Sequence, residues 1–165
     1  MDRVDLPAQP ALIVVMAFVN AATDRIKDRF MPELIWTPAI SVNVKTIDDQ
    51  HIKLFEIINQ VQLIRQRGSD RAEMIDVLRE MVDYSDYHFR TEDDYMLDNG
   101  YPLFQNHRRE HGQFLKKLGE LLDAYEKEET DLADEIGTFL EQWWLRHVCE
   151  SDLRYARYFK STRSA

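Results

Sequence analysis

The sequence predicts an all-α protein, an antiparallel up-down-up-down four-helix bundle with an additional N-terminal helix. Apolar residues recur at spacings of three and four along most of the chain, which is one face of a 3.6-residue helix. Only five Gly and five Pro occur in 165 residues, most of the Pro lie before position 40, and no alternating β-branched run marks a strand. The connections between the periodic stretches are short, and short connections favour antiparallel neighbours closing into a bundle.

Residues 1–35 read as an N-terminal extension, helical over 10–31. Pro10 suits a first helical turn. Leu12, Met16, Val19, Thr23, Ile26 and Phe30 keep a 4-3-4-3-4 spacing that Pro32 stops. Such a stripe fits a covering helix or a helical arm. The alternative is a surface for self-association or for contact with an effector domain. The bundle is expected over 36–160, with 161–165 as a tail. Trp36 to Thr46 is irregular, since Pro38 opposes a continuous helix.

The first bundle helix runs from Ile47 to Arg67, with Ile47, His51, Leu54, Phe55, Ile58 and Val61 inward and Gly68 as its C-terminal cap. The second starts near Asp70 with a capping-box-like pattern to Glu73. It carries Met74, Leu78, Met81, Tyr84, His88, Glu92 and Met96 to a break at Asn99 and Gly100. The third carries His107, His111, Phe114, Leu118, Leu121 and Tyr125. After a polar run from Glu126 to Asp131, the fourth carries Leu132, Ile136, Phe139 or Leu140, Trp143 and His147. A short tail from Cys149 to Lys160 holds Asp152, Tyr155 and Phe159.

A net charge of −9 argues against nucleic-acid or anionic-membrane partners, which would be repelled. The apolar run from Ala11 to Val19 is about half the length needed to span a bilayer. The residues before it lack the positive character of a signal peptide. Cys149 is the single cysteine, so no disulfide framework exists and a cytoplasmic location is expected.

The chemistry concentrates between His88 and His111. His88 and Glu92, like His107 and His111, stand four residues apart, which places each pair on one helix face. All five histidines lie on inward stripes. Burying five imidazoles and a carboxylate in a bundle core is costly unless something compensates them, and a shared metal site does so. Asp152 is the second carboxylate. It follows His147 by five residues, about 140° away on an ideal helix, so the chain must distort there to bring it in.

Five neutral nitrogens and two carboxylates exceed what one tetrahedral zinc takes. They suit two octahedral ions bridged by the carboxylates, with one coordination position open. Imidazole and carboxylate together favour iron. No Ser/His/Asp arrangement or phosphate-binding loop competes. No enzyme is expected, apart from minor di-iron oxidase or peroxidase side activity.

From about Trp36 to Phe159 the chain resembles the hemerythrins, in particular the bacterial hemerythrin-like proteins. The matching residues are Ile47 to His51 with Leu54 and Phe55, His88 to Glu92 with Met96, and Tyr101-Pro102. His107, His111, Trp143, His147, Val148, Asp152 and Tyr155 complete the pattern. The resemblance implies a non-haem centre of two iron ions with an oxo or hydroxo bridge and reversible binding of O2, for storage, carriage or delivery. By position, His107, His111 and His147 would saturate one iron. His51 and His88 would hold the other and leave a site open, with Glu92 and Asp152 bridging. Tyr155 would steady the Asp152 carboxylate, and Leu54, Phe89, Trp144 and Val148 would line the oxygen pocket.

Two positions depart from the family pattern. Trp144 stands where the family usually has Leu; its indole would either narrow the pocket or swing out and admit water. Asp93 stands where Glu is often repeated, at a position that is not a ligand. The alternative function is an O2 or redox sensor attached to a diguanylate cyclase or chemoreceptor. The N-terminal helix, and a chain end from Lys160 to Ala165 able to continue into a linker, motivate it.

Overall fold

The computed structural model describes residues 33–68, 71–127 and 132–163. The N-terminal helix expected over 10–31, and Asp70 of the capping pattern, lie outside the described residues. Among those described, every regular element is helical: α1 (Lys45–Arg67), α2 (Arg71–Asp98), α3 (Phe104–Glu126), α4 (Ala133–Arg146) and α5 (Leu153–Arg163). A π-helical turn, His147–Asp152, joins α4 to α5, so helical structure is unbroken from Ala133 to Arg163. The fourth bundle element is therefore longer than expected. The stretch read as a tail from Cys149 is helical, and α5 passes the expected boundary at Lys160 to reach Arg163.

Cross-helix contacts show the direction of each helix. Between α1 and α2, Gln50 meets Thr91 and Lys53 meets Glu80. Between α2 and α3, Asp93 meets His111 and Arg79 meets Glu126. Lys117 and Glu110 of α3 meet Glu135 and His147, and Arg65 and His51 of α1 meet Asp134 and Asp152. In each pair one residue number rises as the other falls. Neighbours are antiparallel, and the contacts close the ring from α1 through α4.

The entry segment stays irregular apart from a 3-10 turn at Pro38–Ile40. Asn59 of α1 pins it by accepting from the Leu34 N–H at 2.9 Å and donating to the Leu34 carbonyl at 2.8 Å. Asp48, in the first turn of α1, accepts from the Val42 N–H and the Ser41 hydroxyl. That bonding supports a helix start at Lys45, two residues earlier than the apolar stripe implies. Gly68 closes α1 at φ 63°, the left-handed conformation that favours glycine.

The whole stripe expected on α1 is buried, as is that on α3. On α4, Leu140 and Trp144 take the core positions, whereas Trp143 is only partly buried. Two apolar clusters result. The larger spans the bundle around Phe89, Phe114 and Trp144; the smaller gathers Val42, Ile47, Met96, Tyr101, Tyr155 and Phe159. No helix among the described residues is long and apolar enough to cross a membrane.

Phe114 has no exposed surface and packs on Phe89, Phe139, Trp143 and Trp144. Phe114→Ala should cost about 3–5 kcal/mol, read from urea unfolding of the metal-free chain.

Candidate metal centre

Between the two apolar clusters lies a polar knot contributed by every arm of the bundle. Glu92, His107, His111 and His147 each offer a ligand atom, all within 4.8 Å of one another, and His51, His88 and Glu92 form a second such group. All are buried. Glu92 belongs to both groups. Its Oε2 lies 3.3 Å from the Nε2 atoms of His107 and His111, and its Oε1 lies 3.7 Å from His51 Nε2.

Asp152 spans the same gap from the opposite side. Its Oδ2 stands 3.2 Å from His51 Nε2, while its Oδ1 is 3.2 Å from His147 Nε2 and 3.4 Å from His107 Nε2. The π turn makes this possible. Bonding from residue i to i+5 widens each turn, so side chains five apart fall on nearly one face. The distortion that the spacing of His147 and Asp152 demands is therefore present in the backbone between them. All seven ligand candidates named from the sequence come together.

The ring nitrogens facing outward fix what the inward ones offer. His88 Nδ1 lies 3.0 Å from Gln50 Oε1, His111 Nδ1 lies 3.1 Å from Asp93 Oδ1, and His147 Nδ1 lies 3.0 Å from Glu110 Oε2. Each of these partners is an acceptor, so each Nδ1 carries the proton and each Nε2 of the neutral ring presents a lone pair inward. The Nε2 atoms of His111 and His147 stand only 3.0 Å apart. Two lone pairs at that distance need a cation or a proton between them.

His51 Nε2, His88 Nε2 and both oxygens of Asp152 are buried without a hydrogen-bond partner. Such orphaned atoms are costly in an apolar interior and are rare. Aimed at one small volume, and made of imidazole nitrogen and carboxylate oxygen, they fit first-row metal ions.

The partners of the outer nitrogens were not singled out from the sequence. Each is the chain neighbour of a ligand on a different helix: Gln50 precedes His51, Asp93 follows Glu92, and Glu110 precedes His111. Adjacency to a ligand was the available signal. Tyr155 requires a correction as well. Its hydroxyl donates to Glu92 Oε1 at 2.6 Å, not to the Asp152 carboxylate expected from the resemblance. The helical phase set by the π turn carries it to the other carboxylate.

Aromatic rings line the knot. Phe89 stacks on His111 with centroids 3.9 Å apart, Trp143 stacks on His147 at 4.3 Å, and Tyr155 meets His107 at 5.6 Å. Trp144 is fully buried, its ring 5.6 Å from those of His88 and Phe89, so the indole is turned inward. Its Nε1 has no hydrogen-bond partner. Leu54 and Val148 are buried in the same apolar cluster as Phe89 and Trp144.

An antiparallel four-helix bundle whose core holds a dinuclear set of histidines and carboxylates defines a class of non-haem metal proteins. A family model, the Hemerythrin HHE cation binding domain, matches residues 42–159. The chain belongs to the hemerythrin family. It is 32% identical over 131 residues to a bacteriohemerythrin of Stenotrophomonas maltophilia, covering 79% of this chain and 84% of that one. A Pseudomonas aeruginosa bacteriohemerythrin is 30% identical over 125 residues, covering 76% and 80%. A crystal structure of wild-type hemerythrin superposes with a TM-score of 0.70 at 26% identity, covering 75% of this chain and 95% of that chain.

Protonation of the metal-free site is uneven. For His51 burial acts to lower the pKa, but Asp152 and Glu92 outweigh it and hold the value at about 9. His111 is likewise at about 9, with burial outweighed by Asp93 and Glu92. Burial keeps His88 and His147 below the usual histidine value, hence neutral at pH 7. A metal takes only neutral imidazole, so filling the site at pH 7 should release about two protons. Apparent metal affinity should therefore rise with pH and level off above about 9. Calorimetric titration in buffers of differing ionisation enthalpy counts those protons.

The Tyr155 bond to a fully buried carboxylate gives a second expectation. Tyr155→Phe should cost about 1.5–3 kcal/mol, the range for a hydrogen bond to a charged group, in chemical unfolding of the metal-free protein.

Proposed function

We propose that this chain binds O2 reversibly at a non-haem di-iron centre formed by His51, His88, Glu92, His107, His111, His147 and Asp152. The convergence of five imidazoles and two carboxylates, several of them orphaned, in a dry aromatic interior carries the reading. Membership of the hemerythrin family supports it, and so do relatives named bacteriohemerythrins.

In this reading His107, His111 and His147 hold one iron, and His51 and His88 hold the other with one ligand fewer. Glu92 and Asp152 bridge the pair beside an oxo or hydroxo group. When bound, the two ferrous ions supply the two electrons that make O2 binding favourable and reversible.

The protein's own contribution is containment. Gln50, Asp93 and Glu110 hold three imidazoles in the tautomer that turns Nε2 inward. Tyr155 keeps its proton, because burial and the charges of Glu92 and Asp152 hold its pKa well above the ordinary value. It can therefore donate to Glu92 without acting as an acid near neutral pH. Leu54, Phe89, Trp144 and Val148 exclude water from the open side, and Trp144 restricts the space there to a small ligand. Storage, carriage or delivery of O2 follows from such a site. The single cysteine and the net charge of −9 support a cytoplasmic setting. The sensing alternative rests on the N-terminal segment, outside the described residues, and is not adopted.

Iron-loaded protein, reduced without air, should be colourless with about two irons per chain, the number this donor set accommodates. Air should produce a visible charge-transfer band, and removing O2 should abolish it. A chain that holds only one metal, or that bleaches irreversibly on first exposure, would refute the reading.

A further inference from the structure

The two groups of ligands are not supported alike from behind. In the three-histidine group, His111 rests on the carboxylate of Asp93 at 3.1 Å and His147 on that of Glu110 at 3.0 Å. In the two-histidine group, His88 rests on the neutral amide of Gln50 at 3.0 Å, and His51 Nδ1 is buried with no partner. The amide cannot turn to offer its other end without losing a bond, because Gln50 Nε2 donates to Thr91 Oγ1 at 3.2 Å. Nor is Glu110 loosely placed: the Ser151 hydroxyl, within the π turn, donates to the same oxygen at 2.6 Å. Arg108 lies 3.4 Å from the other oxygen of Asp93. It is largely exposed, so water screens much of its opposing charge.

A carboxylate accepting from an imidazole N–H makes the ring a stronger electron donor and adds negative charge behind the metal. An amide oxygen gives the hydrogen bond without the charge. We infer that Asp93 and Glu110 are positioning residues that make the three-histidine metal position the tighter and more electron-rich of the two, while Gln50 leaves the two-histidine position electron-poor. This rests on the dinuclear reading above. It adds a division of labour: the position with the fuller ligand set holds its metal and yields an electron readily, and the other retains the Lewis acidity to take a ligand.

Having fewer histidines already weakens one position, so the test must separate charge from ligand number. Asp93→Asn and Glu110→Gln keep an oxygen acceptor and remove only charge; Gln50→Glu adds charge behind His88. Metal-free full-length chains are titrated anaerobically with cobalt(II), following heat and absorption together. Each neutralising change should weaken one of two equivalents by about 10- to 100-fold and leave the other unmoved, while Gln50→Glu strengthens the weaker one.

In the iron-loaded protein, spectroelectrochemistry should show Asp93→Asn and Glu110→Gln raising the potential of the first oxidation. Gln50→Glu should lower that of the second. If two equivalents bind but the substitutions weaken both alike, or neither, or shift both potentials together, the inference is overturned. A wild-type chain that takes up no second cobalt would instead bring down the dinuclear reading on which it rests.

Discussion

Everything in this structure depends on the need of inward-facing lone pairs for a cation. Three rings are held by acceptors at Nδ1, so their Nε2 lone pairs must point at the centre of the bundle. There they meet one another and two carboxylates. Nothing in the apolar interior satisfies that array, and a buried polar group left unsatisfied costs more than a single hydrogen bond returns. In the metal-free chain, protons on His51 and His111 supply part of the compensation. Metal ions supply it in full. Folding and metal binding thus act on the same residues, and packing around the site must keep water from offering a third solution.

That requirement explains the two apolar clusters. Phe89, Phe114, Trp143 and Trp144 close one side, with Phe89 stacked on a ligand ring. Tyr155, Tyr101, Met96 and Ile47 close the other. The ligands form the seam, so each cluster is both core and wall. Trp144 is the extreme case: a large ring whose N–H remains unpaired was placed where a smaller aliphatic side chain would cost less. The resulting wall is rigid and poor in spare volume.

The sequence disclosed the helices and the ligands but not what stands behind the ligands, for a physical reason. A ligand must lie on the buried stripe, and a polar residue there breaks the apolar pattern visibly, as His51, His88 and His111 do. Gln50, Asp93 and Glu110 sit one residue off that stripe, at the edge of the solvated face, where Gln, Asp and Glu are ordinary. Only the pairing of helices gives them a function. The choice between Trp143 and Trp144 was hidden for a related reason. Adjacent positions on a helix differ by about 100°, and the widened turn that follows α4 alters which of them faces the core. The Tyr155 contact with Glu92 was lost to the same effect, while Asp152 was recovered because its chemistry demanded a distortion that spacing alone could reveal.

The π turn has a further consequence, for how the chain tolerates change in its length. It fixes the rotational phase of all that follows, since α5 inherits its orientation from Asp152. Tyr155 and Phe159 belong to the smaller cluster in the same phase that brings Asp152 to the ligands. Adding or removing one residue between His147 and Asp152 would swing them together by about 100° if the turn could not absorb it. A carboxylate bridge, a tyrosine donor and an apolar wall are thereby locked to a single register, as the bits of a key share one shaft. Variation in length at this turn is constrained by geometry, whichever residues occupy it.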